Sequence, residues 1–90
     1  MDDIELTKKQ GRGQRAEDLL KNELLQDTFK YLHDEYIATW KRTSVKDVAA
    51  REALYIATNI VGKVQEQLHK YAADGRLSAK ELARIKYPKP

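Results

Sequence analysis

Two histidines, fourteen acidic side chains and no cysteine bound the chemistry open to this 90-residue chain. The segment Asp74-Gly75-Arg76-Leu77-Ser78-Ala79-Lys80-Glu81 has the spacing of the second half of a calcium-binding EF-hand loop. The first half fails, because Lys70 stands at the leading ligand position and Ala72 at the third. Calcium needs several oxygen ligands, and a cation at the leading position opposes it. The segment reads instead as a helix stop at Ala73-Asp74-Gly75, a tight turn, and a restart capped by Ser78 and Glu81. His33 has Phe29, Lys30, Tyr36 and Ile37 one helical turn away, and His69 has Gln65, Glu66 and Ala73. Neither imidazole has a second imidazole within sequence reach, so no metal ligands are assigned. Glu23, Asp27 and Asp34 are interleaved with Lys30 on a solvated face, and no nucleophile stands beside a base. The chain is therefore read as a non-enzyme with no catalytic residue and no cofactor.

Phosphate chemistry is the next class. Gly11-Arg12-Gly13 is too short for a phosphate loop, and no strand precedes it. A helix-turn-helix needs two short helices and a basic recognition helix. The turns expected at 42–44 and 74–77 do not supply that arrangement. Two clusters of cations remain, Lys8, Lys9, Arg12 and Arg15 near one end and Lys80, Arg84, Lys86 and Lys89 near the other. They are candidates for non-specific DNA contact, which would be strongly salt-dependent. The aromatics Phe29, Tyr31, Tyr36, Trp40, Tyr55 and Tyr71 lie at helical spacing and read as core. Tyr31 and Tyr55 fall off the main stripes and suit a partner surface.

The elements that carry these residues are helices. Over 45–71, Val45, Ala49, Ala53, Ile56, Ile60, Val64, Leu68 and Tyr71 recur at steps of three and four, the period of an amphipathic helix. A second row, Ala50, Leu54, Ala57, Val61 and Val64, lies beside the first, making the apolar face wider than one partner helix needs. Over 23–41, Leu25, Phe29, Leu32, Tyr36 and Trp40 repeat the pattern. Asn22 is the candidate cap of that helix and Ser44 the candidate cap of the next. The expected fold is all-α. A long antiparallel helical hairpin carries a short N-terminal helical segment and a short C-terminal helix, and oligomerisation completes it. The expected helices cover 14–21, 23–41, 45–73 and 79–85, in one domain over 14–86. Residues 1–13 are expected to form a flexible basic arm, and 87–90 a mobile tail.

Composition narrows the setting. The net charge is +3, with charged residues at 34% and aromatics at 8%. That balance suits an exposed helical protein with narrow contact faces, and it is a weak pointer to nucleic acid. No apolar run approaches the ~20 residues of a membrane span. The opening stretch lacks the apolar region of a secretory signal. A cytoplasmic setting in a host cell, or the virion, is expected. One hairpin cannot cover both rows of the central helix, and small domains are marginal alone. A second chain is therefore expected on Ala50, Leu54, Ala57 and Val61, the candidate oligomer interface, giving a dimer or a ring.

Four motifs add a resemblance. They are R-A-x-x-L-L at 15–20, Y-I-A-x-W-K-R-T at 36–43, R-E-x-L at 51–54 and D-G-R-L at 74–77. Across 11–82 the chain resembles a group of small tailed-bacteriophage proteins that have no assigned chemistry and are encoded near head and DNA-packaging genes. The resemblance lends no residue a role. It implies phage structural or packaging proteins as partners. The expected function is that of a non-enzymatic helical interaction protein. It acts through self-association and protein contacts in virion head assembly or DNA packaging. The alternatives are a small terminase-like packaging factor with basic arms on DNA, and an inhibitor or regulator of a host protein.

Overall fold

The structure is a computed structural model and describes residues 2–87. Over that range the chain is all-α: α1 is Asp3–Lys21, α2 is Glu23–Arg42 and α3 is Val48–Lys86. The described residues divide into two units. One combines α1 with the part of α3 from Gln67 onward, and the other is Asn22–Glu66.

Three local capping bonds set the helix starts. Asp2 Oδ1 accepts from the Glu5 amide at 2.8 Å, and Asp3 and Glu5 place negative charge in the first turn of α1. Asn22 Oδ1 accepts from the Leu25 amide at 2.9 Å and starts α2. Asp47 Oδ1 accepts from the Ala50 amide at 3.3 Å, while the Asp47 carbonyl takes the Arg51 amide at 3.1 Å. The cap of α3 is thus Asp47, and the expected Ser44 cap is corrected. The Ser44 side chain accepts from the Lys46 amide at 3.2 Å, and its carbonyl accepts from the Asp47 amide at 3.0 Å. Ser44 therefore shapes the turn before the helix. α2 closes at Thr43, whose amide and hydroxyl both donate to the Trp40 carbonyl, at 3.0 and 2.6 Å.

Two further expectations are overturned. The flexible arm over 1–13 is a helix from Asp3, and the short segment expected at 14–21 is the second half of a 19-residue helix. The helix stop at 73–75 and the separate short helix at 79–85 do not form, because α3 runs unbroken for 39 residues. Both corrections have one cause. No glycine among the described residues has positive φ, so Gly75 does not take the left-handed turn that ends a helix. What Gly75 supplies is the absence of a side chain. A Cβ on Gly75 would stand 2.7 Å from the Gly13 Cα, and a Cβ on Gly13 would stand 2.5 Å from the Gly75 Cα and 2.8 Å from the Tyr71 carbonyl. The backbones of α1 and α3 touch at this pair of glycines.

The core of the first unit follows from that approach. Leu6, Gly13 and Ala16 of α1 and Ala72, Gly75, Ser78 and Leu82 of α3 are buried. Most of these side chains are small, so helix-to-helix contact replaces bulk. Leu6 and Leu82 at its margins, 3% and 6% exposed, each contribute about 2 kcal/mol of apolar burial. Arg76 donates to Glu17 at 2.7 Å across the two helices. In the second unit Phe29 is the buried anchor. Ile37 and Trp40 of α2 line an apolar groove with Leu54, Tyr55 and Thr58 of α3. Arg51 closes that end: its guanidinium lies 4.2 Å from the Trp40 ring centre and donates to Thr43 Oγ1 at 2.9 Å. A stacked and hydrogen-bonded arginine of this kind ties the start of α3 to the end of α2.

Candidate functional site

The two apolar rows of α3 have opposite fates within the second unit. Ala50, Leu54, Ala57 and Val61, the expected oligomer interface, are each half-buried in the single chain. Leu54 reaches this state against Ile37 and Trp40 of α2. The neighbouring row is open: Ala49 and Ala53 are exposed, and Ile56, Ile60 and Val64 retain 49%, 55% and 49% of their surface. These five residues step by four, three, four and four and form one continuous stripe on a helix. Ala50, Leu54, Ala57 and Val61 are thus less open than the neighbouring row, with Leu54 set against α2. The periodicity showed both rows, and nothing local says which one the chain covers itself.

The first unit gathers the cations. Lys8, Arg12 and Arg15 recur at helical spacing and share one face of α1, where they line a shallow surface with Gly11. Lys8 and Arg15 are exposed. Arg12 is half-buried, with its guanidinium 4.2 Å from the Tyr71 ring centre and its Nε buried without a hydrogen-bond partner. That stacking costs Arg12 part of its reach toward an external anion. Lys9 borders that surface and also lines a groove with Leu6, Asp74, Ser78, Lys80, Glu81 and Arg84. The cations expected at two separate ends are thus brought to one unit. Arg84 is also tied to Glu81 at 3.1 Å, and Lys86 is exposed at the end of α3. Lys89 lies outside the described residues, as does most of the tail expected over 87–90.

Charge divides unevenly between the units. The unit containing α1 and the distal part of α3 has eleven Lys and Arg against seven Asp and Glu, while Asn22–Glu66 has six against seven. Essentially all of the positive excess belongs to one unit. Asp74 and Glu81, the EF-hand-like carboxylates, lie on a helix and not on a loop. Among the described residues no three His, Asp or Glu side chains converge to hold a metal ion.

His33 and His69 are both exposed. His33 Nδ1 lies 3.4 Å from Asp34, and Lys30 donates to the same carboxylate at 2.8 Å. The hydrogen bond from Lys30, joined by the one from His33, holds the Asp34 carboxyl below its ordinary pKa, and the Asp34 hydrogen bond raises that of Lys30. All three side chains are solvated, so this is a surface ion cluster. No described helix is long and apolar enough to cross a membrane. Comparison of the chain with protein-family models, with curated proteins and with solved structures gives no match.

Proposed function

We propose that this chain is a non-enzymatic helical interaction protein of the tailed-phage kind. It self-associates and makes protein contacts in virion head assembly or DNA packaging. The observation that carries self-association is the open stripe Ala49, Ala53, Ile56, Ile60 and Val64. A row of apolar side chains this regular, left uncovered on a small helical domain, is the surface a second helix covers. α2 and the first half of α3 would form an antiparallel hairpin, with a second copy completing a bundle. The phage setting rests on the four sequence motifs, and the partners it implies are phage structural or packaging proteins.

A second reading is favoured by one observation, the collection of Lys8, Arg15, Lys80 and Arg84 with the positive excess on one unit. A small terminase-like packaging factor would use that unit on the DNA backbone, with affinity falling steeply as salt rises. Multi-angle light scattering on the full chain, with and without duplex DNA, at low and moderate salt, separates the two. A defined dimer indifferent to DNA supports the protein-contact function. A high-order ring that shifts with DNA at low salt replaces it with the packaging factor. A monomer at tens of micromolar removes self-association.

A further inference from the structure

We infer that the open stripe of α3 is a two-fold interface that takes a second copy of this chain in antiparallel register. The two-fold axis passes close to Ala57. This inference rests on self-association and adds the geometry of the contact.

Three properties of the stripe point to it. The first is shape. The small residues Ala49 and Ala53 occupy its N-terminal end, and the larger Ile60 and Val64 its C-terminal end, with Ile56 near the centre. Antiparallel pairing sets each alanine end against the partner's Ile60 and Val64 end. Bulk then fills the space that the alanines leave, as close packing requires. Parallel pairing would set alanine on alanine and isoleucine on isoleucine, leaving a gap at one end and crowding at the other.

The second property is charge. Glu52 and Lys63 flank the stripe on the same side, are both exposed, and make no ion pair among the described residues. They are equidistant from the point between Ala57 and Thr58. An antiparallel partner therefore places its Lys63 opposite Glu52, and its Glu52 opposite Lys63. Parallel two-fold pairing would carry the partner's Glu52 and Lys63 to the far side of the seam, so neither of these attractions would form. The third property is the charge of the unit as a whole. Asn22–Glu66 is close to neutral, with six Lys and Arg against seven Asp and Glu. Two copies that meet here bring little net charge together, whereas two copies meeting through the basic unit would repel.

The test uses the full chain in sedimentation equilibrium at low salt. Wild type is compared with Glu52→Lys, with Lys63→Glu and with the double variant. Each single substitution turns two attractions per dimer into two repulsions and is expected to weaken the dimer about tenfold. The double variant restores opposite charges across the axis and is expected within about threefold of wild type. Cysteine pairs give a second readout, clean because the chain has no native cysteine. Under mild oxidant, Ala49→Cys is expected not to cross-link to itself but to cross-link when mixed with Val64→Cys. A wild-type dimer that ignores the charge swaps, or Ala49→Cys that bridges to its own copy, overturns the antiparallel register and leaves self-association standing. A wild-type monomer overturns both.

Discussion

Replacing Gly13 by alanine tests the glycine crossing directly. In an exposed helix interior this substitution stabilises by about 1 kcal/mol, because alanine is the better helix former. At Gly13 the added Cβ meets the Gly75 Cα at 2.5 Å, the Tyr71 carbonyl at 2.8 Å and the Gly75 amide nitrogen at 3.0 Å. All three are backbone atoms of α3, so no rotamer change relieves the contact. Restoring ordinary van der Waals distance requires α1 and α3 to separate by about 1 Å. A gap of that size forfeits a quarter to a half of the dispersion energy across the contact, and Leu6, Ala16, Ala72, Ser78 and Leu82 all border it. Overpacking of this kind costs about 1–3 kcal/mol, which exceeds the propensity gain.

The expected net effect of Gly13→Ala is therefore a loss of up to about 2 kcal/mol, a fall in Tm of up to roughly 15 °C for a chain of this size. Gly62→Ala is the control, since nothing lies within 4 Å of a Cβ there. It carries the propensity gain alone, about 1 kcal/mol of added stability. Thermal unfolding followed by circular dichroism, at one fixed protein concentration, reads both. Gly13→Ala melting as high as Gly62→Ala would mean that the backbones of α1 and α3 do not meet at these glycines.

Capping and titration give two further expectations. Asp47→Ala should cost about 1 kcal/mol in denaturant unfolding through loss of the cap bond to Ala50, while Ser44→Ala, which leaves that bond intact, should cost markedly less. Equal costs would return the cap to Ser44. The Asp34 carboxyl is held below its ordinary pKa first by the hydrogen bond from Lys30 and then by the one from His33, so its NMR titration should move up toward the ordinary carboxylate range in Lys30→Gln. A depressed carboxyl contributes what stability it has above its unfolded-state pKa, and loses it as pH falls through the folded-state value. Lys30, raised by the same pair, loses its share only as pH climbs through its own folded-state value. The pair is thus intact through the neutral range, and an Asp34 titration unmoved by Lys30→Gln would show that the contact does not persist in solution.

Much of the helical character was legible because its causes are local. Asn22 starts α2 through its own side chain, and the four-three-four steps of Leu25 to Trp40 and Val45 to Val64 follow from the turn of a helix. The extent of α1 was not legible. Its contact row runs through Leu6, Gly13 and Ala16, residues that carry little apolar signal, and its two glycines raise the expectation of a loose chain. Gly75 shows the same limit. Asp74-Gly75 followed by a capping-box pattern is a helix stop when only neighbours along the chain are weighed. Gly13 lies 62 positions away in the sequence and rewards Gly75 for lacking a side chain, so α3 continues. The pairing of Arg76 with Glu17 spans 59 positions and likewise left no trace in the sequence.

The open stripe marks the same boundary. That α3 is apolar over a wide arc is a property of residue types at helical spacing. Which part of the arc stays uncovered depends on the direction from which α2 approaches, and that direction is set by contacts such as Arg51 with Trp40 and Thr43. Periodicity along one helix contains no information about the azimuth of another. The cations obey the same logic: their number and sign stand in the chain, but Lys9 shares a groove with Lys80 and Arg84 only because two glycines let α1 lie against α3.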